Sequence, residues 1–174
     1  PLIIRSVNQG NGEYIASLDS PYYFLLWSPN GQYSAVMGNT VERGSWFEIL
    51  DVYGEHIYTV ENDSHFYIKG WSPNSRYLIY EAWNNEQETI FIYVLDVQTQ
   101  QVAYEMPELP NEVRGWSSDG HYLAVSISNL KDDDATISYS IIDIINGQSI
   151  VTWSNVVDLN SNLSGYFVLL GWAK

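Results

Sequence analysis

The sequence has no cysteine among its 174 residues. It therefore forms no disulfide, offers no thiolate nucleophile and holds no cysteine-ligated metal. A chain of this length buries enough apolar surface to fold without such cross-links, so the lack of cysteine does not fix the compartment. A secreted or periplasmic location is slightly favoured over a cytoplasmic one.

Basic residues are also scarce. Seven Lys and Arg stand against 21 Asp and Glu, which gives a formal net charge of -14. Binding to nucleic acid or to an anionic membrane surface needs a basic patch, so neither partner is expected. No apolar run approaches the ~18 residues of a membrane span, and no membrane insertion is expected. We interpret the acidity as a source of solubility.

Helical periodicity and helix caps are missing as well, and the chain consists of short apolar runs separated by turns. One turn sequence recurs: Trp71–Leu78 (WSPNSRYL) follows Trp27–Ser34 (WSPNGQYS) and precedes Trp116–Leu123 (WSSDGHYL). A fourth copy begins at Gly171-Trp172. Proline at the second turn position and Asn, Asp or Gly after it favour a tight turn, so each copy predicts a hairpin between two strands.

The spacing of the repeated tryptophans predicts the architecture. Trp27 and Trp71 are 44 residues apart, Trp71 and Trp116 are 45 apart, and Trp116 and Trp172 are 56 apart. A four-stranded unit of ~40–45 residues is the period of a β-propeller blade. We therefore predict an all-β fold of about four four-stranded antiparallel blades in one domain or segment, residues 1–174. The blades are expected at 1–20 (partial), 22–60, 66–106, 112–153 and 166–174 (partial).

The repeat also resembles a known family. Gly70-Trp71-Ser72-Pro73-Asn74, followed by Tyr-Leu and by an Asp hairpin at Asp96, is similar to the repeat of TolB-type β-propellers. The propellers of prolyl-oligopeptidase-like proteins share this repeat. Asn30 and Asn74 stand where that family usually has Asp. The resemblance implies a propeller fold over nearly the whole chain and says little about function.

The terminal segments add up to three strands of a further blade and lack a second strand. Because a propeller needs at least about four blades to close, three arrangements stay open. The last blade joins the two ends of the chain, two copies pair into a larger ring, or the chain is an excerpt of a longer propeller. A homo-oligomer that completes the ring is therefore one possible assembly.

Two groups of residues stand out as candidate sites. The repeated tryptophans Trp27, Trp71, Trp116 and Trp172 are expected to pack between neighbouring blades. Lys69 and Arg114 lie two residues before their tryptophans, on first strands, which line the channel of a propeller. They could bind an anionic group such as a peptide carboxylate. The alternative interpretation is internal salt bridges to nearby acids such as Glu112.

Other motifs in the sequence are weaker indications of a functional site. The consecutive acids Asp132–Asp134 lack the alternation and glycine of a calcium loop, so a solvated loop is expected. Gly70-Trp71-Ser72 lacks the second glycine and the helix of a nucleophile elbow. His56, His65 and His121 have no metal-ligand spacing, and His121 is expected to face solvent. Trp46, Trp83 and Trp153 are expected to pack in the core or rim, with an exposed aromatic patch as the alternative.

No catalytic residue, metal or cofactor is predicted. The leading hypothesis is a non-catalytic binding or scaffold module that recognises a protein or peptide through the channel mouth and loops, with Lys69 and Arg114 as polar anchors. The first alternative is the propeller of a prolyl-oligopeptidase-like hydrolase whose catalytic domain lies outside this chain. The second is a carbohydrate-active propeller that uses channel carboxylates.

Overall fold

The computed structural model describes residues 2–8, 11–18, 22–40, 44–62, 66–84, 89–106, 112–131 and 134–158. These residues contain fourteen strands and no helix, so the predicted all-β class is confirmed. The strands are β1 Leu2–Asn8, β2 Asn11–Leu18, β3 Tyr22–Trp27, β4 Tyr33–Thr40, β5 Gly44–Asp51, β6 His56–Asn62, β7 Phe66–Trp71, β8 Tyr77–Asn84, β9 Thr89–Asp96, β10 Gln101–Met106, β11 Glu112–Trp116, β12 Tyr122–Lys131, β13 Asp134–Asp143 and β14 Gln148–Asp158.

Twelve of the strands form three antiparallel sheets in which neighbours in sequence are neighbours in space. The first sheet is β3-β4-β5-β6, the second is β7-β8-β9-β10 and the third is β11-β12-β13-β14, while β1 and β2 form a separate hairpin. The residues of 159–174, which include Trp172 and the predicted last strand, lie outside the described residues.

The third sheet differs from the sequence prediction at the acidic stretch. β12 continues to Lys131 and β13 begins at Asp134, with Lys131 paired to Asp134. The sequence predicts a solvated loop over Asp132–Asp134, and this is wrong for Asp134, which begins β13. The strands extend because Ile127 and the segment Thr136–Ile137 favour pleated backbone, and the pairing keeps one register throughout. Asp132 and Asp133 lie outside the described residues.

The second sheet is buried on both faces, which explains why its middle strands are nearly continuously apolar. On β8, Leu78, Tyr80 and Ala82 pack toward the first sheet, in a cluster with Phe47 and Ile49. The alternate residues pack toward the third sheet instead. That second cluster contains Tyr77, Ile79, Ile92, Val94, Met106, Leu123, Val125, Ile142 and Ile144. Successive side chains of a strand point to opposite faces of its sheet. The second sheet therefore packs against the first sheet through one core layer and against the third sheet through the other.

A serine holds each repeated turn closed. The hydroxyl of Ser72 accepts from the backbone N–H of Tyr77 at 2.9 Å and donates to Asn74 Oδ1 at 2.6 Å. Asn74 Oδ1 also accepts from the N–H of Arg76 at 3.1 Å. The turns that begin at Ser28 and Ser117 repeat these bonds. Local side-chain bonds of this kind stabilise turns, and here they satisfy buried serine hydroxyls.

Neighbouring turns are also bonded to one another. Asn74 Nδ2 donates to the backbone oxygen of Asp119 in the third sheet at 2.8 Å. The backbone N–H of Asn30 donates to Ser75 Oγ in the second sheet at 3.0 Å. Ser75 has a φ of 60°, which is unfavourable for a residue other than glycine, and its hydroxyl contributes this inter-sheet bond.

The hairpins between third and fourth strands are closed by aspartates. Oδ1 of Asp51, Asp96 and Asp143 each accepts from two backbone N–H groups of its own turn. Asp96 is also bound by Arg76, whose Nη2 lies 2.7 Å from Oδ2. Burial alone would raise the pKa of Asp96, but Arg76 and the turn amides outweigh it and hold the pKa below its usual value.

Candidate functional site

Lys69 and Arg114 occupy the same structural position on adjacent first strands. β7 and β8 shift register between Ile68 and Gly70, so Lys69 is the extra residue of a β-bulge. β11 and β12 shift between Val113 and Gly115, which makes Arg114 the extra residue there. The following glycines have φ values of 157° and 151°, which side-chain-bearing residues rarely adopt. A β-bulge changes the direction of its extra side chain. Here two bulges orient the side chains of Lys69 and Arg114 from equivalent positions on their strands.

Lys69 is paired within its own sheet. Its Nζ lies 2.8 Å from Glu81 Oε1, with side-chain exposures of 41% for Lys69 and 16% for Glu81. Glu81 lies on β8 opposite Tyr67, which is itself exposed. The ammonium thus keeps access to solvent while its carboxylate partner is mostly covered.

Arg114 makes two polar contacts. Nη1 lies 2.7 Å from Glu112 Oε2, and Nε donates to Ser126 Oγ at 2.9 Å. The Arg114 side chain is 35% exposed. Both bonds hold the guanidinium at the edge of the third sheet, and the pair with Glu112 agrees with the salt-bridge interpretation. We call Lys69, Glu81, Glu112, Arg114 and Ser126 the inner-edge residues.

Sequence reasoning missed Glu81 and Ser126, although an alignment of the repeats would have found them. Each lies four residues after the tyrosine that opens its second strand, Tyr77 or Tyr122. The residue at this position of the first sheet is Met37, and the residue matching Lys69 is Leu25. The polar pairing is therefore confined to the second and third of the three described sheets.

The repeated tryptophans are not equivalent. Trp71 is 9% exposed, stacks on Tyr33 of the first sheet and donates from Nε1 to the backbone oxygen of Leu26 at 3.1 Å. Trp116 stacks in the same way on Tyr77 of the second sheet. Trp27, in contrast, is 40% exposed. Two of the indoles therefore join adjacent sheets.

The remaining aromatic candidates divide between core and surface. Trp46 is buried against Gly38, opposite it on β4, whereas Trp83 is 40% exposed. The side chain of Trp153 lies outside the described part of the chain. Of the two described side chains only that of Trp83 is exposed, and the exposed-patch alternative stays a prediction.

The histidines that the structure describes, His56 and His121, do not form a further site. His121 is close to half exposed in its turn, and its Nδ1 lies 3.6 Å from Asp119 Oδ2. His56 lies 3.5 Å from the buried carboxylate of Glu48. His65 lies outside the described residues. Within the described ranges, no cluster of His, Asp and Glu has the geometry of a metal site. Nor does the described part of the chain include a helix long and apolar enough to cross a membrane.

Comparison with solved structures decides the fold. A eukaryotic initiation factor superposes with a TM-score of 0.58 and 15% identity, over 85% of this chain and 36% of the other. The WD40 domain of coronin from Toxoplasma gondii gives 0.53 and 12%, over 85% and 37%. The β-propeller domain of the trilobed protease from Pyrococcus furiosus gives 0.52 and 16%, over 81% and 45%.

The chain has a β-propeller fold. The β-propeller fold that the resemblance to TolB-type and peptidase-type propellers implies is thus confirmed. No protein-family model matches the sequence, and no curated protein shows significant sequence similarity to it. This β-propeller spans less than half the length of each of the three solved chains. Structural similarity at such low sequence identity establishes the propeller fold and does not identify a ligand.

Proposed function

We propose that this β-propeller chain is a non-catalytic binding module that holds a carboxylate of a protein or peptide at the inner-edge residues, through Lys69 and Arg114. The observation that supports the proposal is the equivalence of Lys69 and Arg114. Both are the extra residue of a bulge on a first strand, both are partly exposed, and their sheets are adjacent. The hydrolase-propeller and carbohydrate-active alternatives stay predictions.

The existing ion pairs do not prevent this role. A solvent-exposed pair contributes only about 0–1 kcal/mol, so an incoming carboxylate can replace the exposed Glu112 at small cost. Arginine binds a carboxylate through two parallel N–H bonds, which adds geometric specificity. The excess negative charge of the chain opposes an acidic ligand at long range, so specific contacts must supply the affinity.

The test uses a fluorescein-labelled tetraglutamate peptide and the full chain at about 0.15 M salt, where long-range repulsion is largely screened. We expect saturable binding by fluorescence anisotropy. Replacing both cations, Lys69→Gln with Arg114→Gln, should weaken it by about tenfold or more, because two charge-assisted hydrogen bonds are lost. Glu81→Gln should strengthen binding, since it frees the Lys69 ammonium.

The matched control is Lys69→Arg, which keeps the charge and should retain binding. The melting temperature of the double Gln variant separates the two interpretations. A small change with lost binding supports the anchor role, whereas a large fall in melting temperature with unchanged binding would show that the cations serve the fold alone.

A further inference from the structure

Asparagine followed by glycine is a chemically labile pair, and the sequence contains three such pairs: Asn11-Gly12, Asn30-Gly31 and Asn146-Gly147. The backbone nitrogen of the glycine attacks the side-chain carbonyl carbon of the asparagine, and the absence of a glycine side chain leaves its approach unhindered. The second and third pairs lie exposed in turns. The side chain of Asn11 lies outside the described part of the chain. The two described pairs differ in how the attacking nitrogen is held.

The turn that contains Asn30 holds both partners of the reaction in place. The N–H of Gly31 donates to the backbone oxygen of Ser28 at 2.8 Å. The N–H of Asn30 donates to Ser75 Oγ in the second sheet at 3.0 Å. Asn30 Oδ1 accepts from Ser28 Oγ at 2.8 Å and from the N–H of Gln32 at 2.9 Å. Attack at Asn30 therefore requires the turn to open first.

The attacking nitrogen of the other pair is not engaged. Within the described part of the chain, the N–H of Gly147 donates to no acceptor. A Cβ built at Gly147 would have no neighbour closer than 3.9 Å, so this glycine is not crowded. Asn146 donates from its backbone nitrogen to Asp143 Oδ1 at 3.0 Å and from Nδ2 to Asp143 Oδ2 at 2.8 Å. The structure thus restrains the side chain of Asn146 and leaves the nucleophile free.

The exposure of this turn is a property of its place in the sheet. The matching turns between third and fourth strands lie at Tyr53 in the first sheet and at Gln98–Gln100 in the second, and both are exposed. A further sheet packs against each of those two sheets through a core layer. A hairpin at this position therefore stays at the surface when a neighbouring sheet is present.

We propose that Asn146 is a site of spontaneous deamidation in the folded chain. The Gly147 nitrogen loses its proton to a solvent base and forms a bond to Asn146 Cγ. The bond between Cγ and Nδ2 breaks, and the nitrogen takes up a proton from solvent and leaves as ammonia. Water then opens the cyclic succinimide at either of its carbonyl groups. The products are aspartate and isoaspartate, each with one more negative charge than asparagine.

The product weakens the hairpin that joins β13 and β14. The side chain of Asn146, together with its backbone N–H, holds the pKa of Asp143 below its usual value. Deamidation replaces the Nδ2 donor with a second carboxylate, which has no proton to donate at neutral pH. We expect the pKa of Asp143 to rise toward its ordinary value of about 3.9, with loss of the stability that the lowered pKa contributes at neutral pH.

The full chain contains the control for the experiment, because Asn30 and Asn146 precede the same residue type. The protein is incubated at mildly alkaline pH, folded in one sample and unfolded by urea in the other. Tandem mass spectrometry of proteolytic peptides measures conversion at each asparagine. In the folded chain Asn146 should react faster than Asn30 by about tenfold or more, because the bonds of the Asn30 turn must open before attack. In urea the two rates should become similar.

Two variants test the assignment further. Gly147→Ala should slow the reaction at Asn146, because the added methyl group hinders the attacking nitrogen, and leave the rate at Asn30 unchanged. Asn146→Asp reproduces one product and should melt below the parent chain at pH 7. The difference in melting temperature should shrink as the pH falls toward 3, where Asp143 is protonated in both proteins.

Three results would overturn the proposal. The first is a folded chain in which Asn30 reacts as fast as Asn146 or faster, since the free Gly147 nitrogen would then confer no reactivity. The second is a folded chain in which Asn146 stays intact while the urea-unfolded chain releases ammonia. The third is a Gly147→Ala variant that deamidates at residue 146 as fast as the parent. None of these measurements involves a ligand, so they are independent of the site at Lys69 and Arg114.

Discussion

At the scale of single residues, the repeated turn shows how similar side chains acquire different partners. Asn30 and Asn74 occupy the same turn position, and the Oδ1 of each accepts from a serine hydroxyl and a backbone N–H. Asn74 in addition donates from Nδ2 to Asp119 of the next sheet. TolB-type repeats usually have Asp at this position, and Asn74 is explained by its amide N–H donor, which a carboxylate lacks.

This difference gives a matched pair of substitutions. Asn74→Asp places a carboxylate oxygen against the backbone oxygen of Asp119, and we expect it to lower the free energy of unfolding by about 1–3 kcal/mol. Asn30→Asp keeps the acceptor that its turn uses and should change stability by less than about 0.5 kcal/mol. Urea unfolding at pH 7 measures both. Equal losses at the two positions would refute the role assigned to the Asn74 amide.

Gly38 shows that one glycine is set by close packing. A Cβ at this position would lie 2.3 Å from the Trp46 ring, which is buried and cannot easily move. We expect Gly38→Ala to cost about 3 kcal/mol, at the upper end of the range for overpacking. Gly147→Ala, where a Cβ has no neighbour closer than 3.9 Å but φ is 64°, should cost only about 1–2 kcal/mol.

Thermal and urea unfolding of the two alanine variants provides the comparison. A double variant, Gly38→Ala with Trp46→Leu, should show a coupling energy, because the smaller side chain relieves the contact. If Gly38→Ala proves no more costly than Gly147→Ala, the indole does not fill the space above Gly38.

At the scale of elements, the closed Asp hairpins make the fold sensitive to acid. The pKa of Asp96 is lower in the folded chain than in an unfolded one, where it is about 3.9. Asp96 therefore contributes stability above pH ~4 and loses it as the pH falls through its folded pKa. Asp143, whose carboxylate accepts from the side chain and backbone of Asn146, also has a lowered pKa and acts in the same direction.

We expect Asp96→Asn to be less stable than the parent chain at pH 7, because Arg76 loses its partner. The difference should shrink as the pH falls toward 3, where the parent loses the same carboxylate. Urea unfolding at intervals between pH 3 and 7 gives this curve. A difference that stays constant over the whole range would mean that the Asp96 charge does not stabilise the hairpin.

The elements also show what the sequence could and could not predict. The Trp turns and Asp hairpins carry local signals in proline, asparagine and aspartate, so strand order and the two inter-sheet indoles, Trp71 and Trp116, were predicted. The Trp27 exposure and the Glu81 partner depend on neighbours in other strands and were not. Consecutive acids are typical of loops, so a loop is predicted at Asp132–Asp134, whereas Asp134 pairs with Lys131 at the start of β13.

At the scale of the whole molecule, the charge imbalance opposes compactness. The 21 acidic residues exceed the seven basic ones, and the ion pairs of Lys69, Arg76 and Arg114 already engage three of those seven cations. The excess acids repel one another more strongly in the compact fold than in an expanded chain. This term destabilises the native state at pH 7 and should fall away near the isoelectric point of about 4.2.

Sodium chloride tests this balance directly. Raising its concentration from ~0.01 M to ~1 M shortens the screening length from about 30 Å to about 3 Å, which weakens the repulsion among the excess acids. The exposed ion pairs weaken too, but each contributes only about 0–1 kcal/mol, so repulsion dominates. We therefore expect the melting temperature at pH 7 to rise with salt and the rise to be much smaller at pH 4.2. A similar rise at both pH values would indicate a general salt effect on apolar burial and would contradict the electrostatic origin.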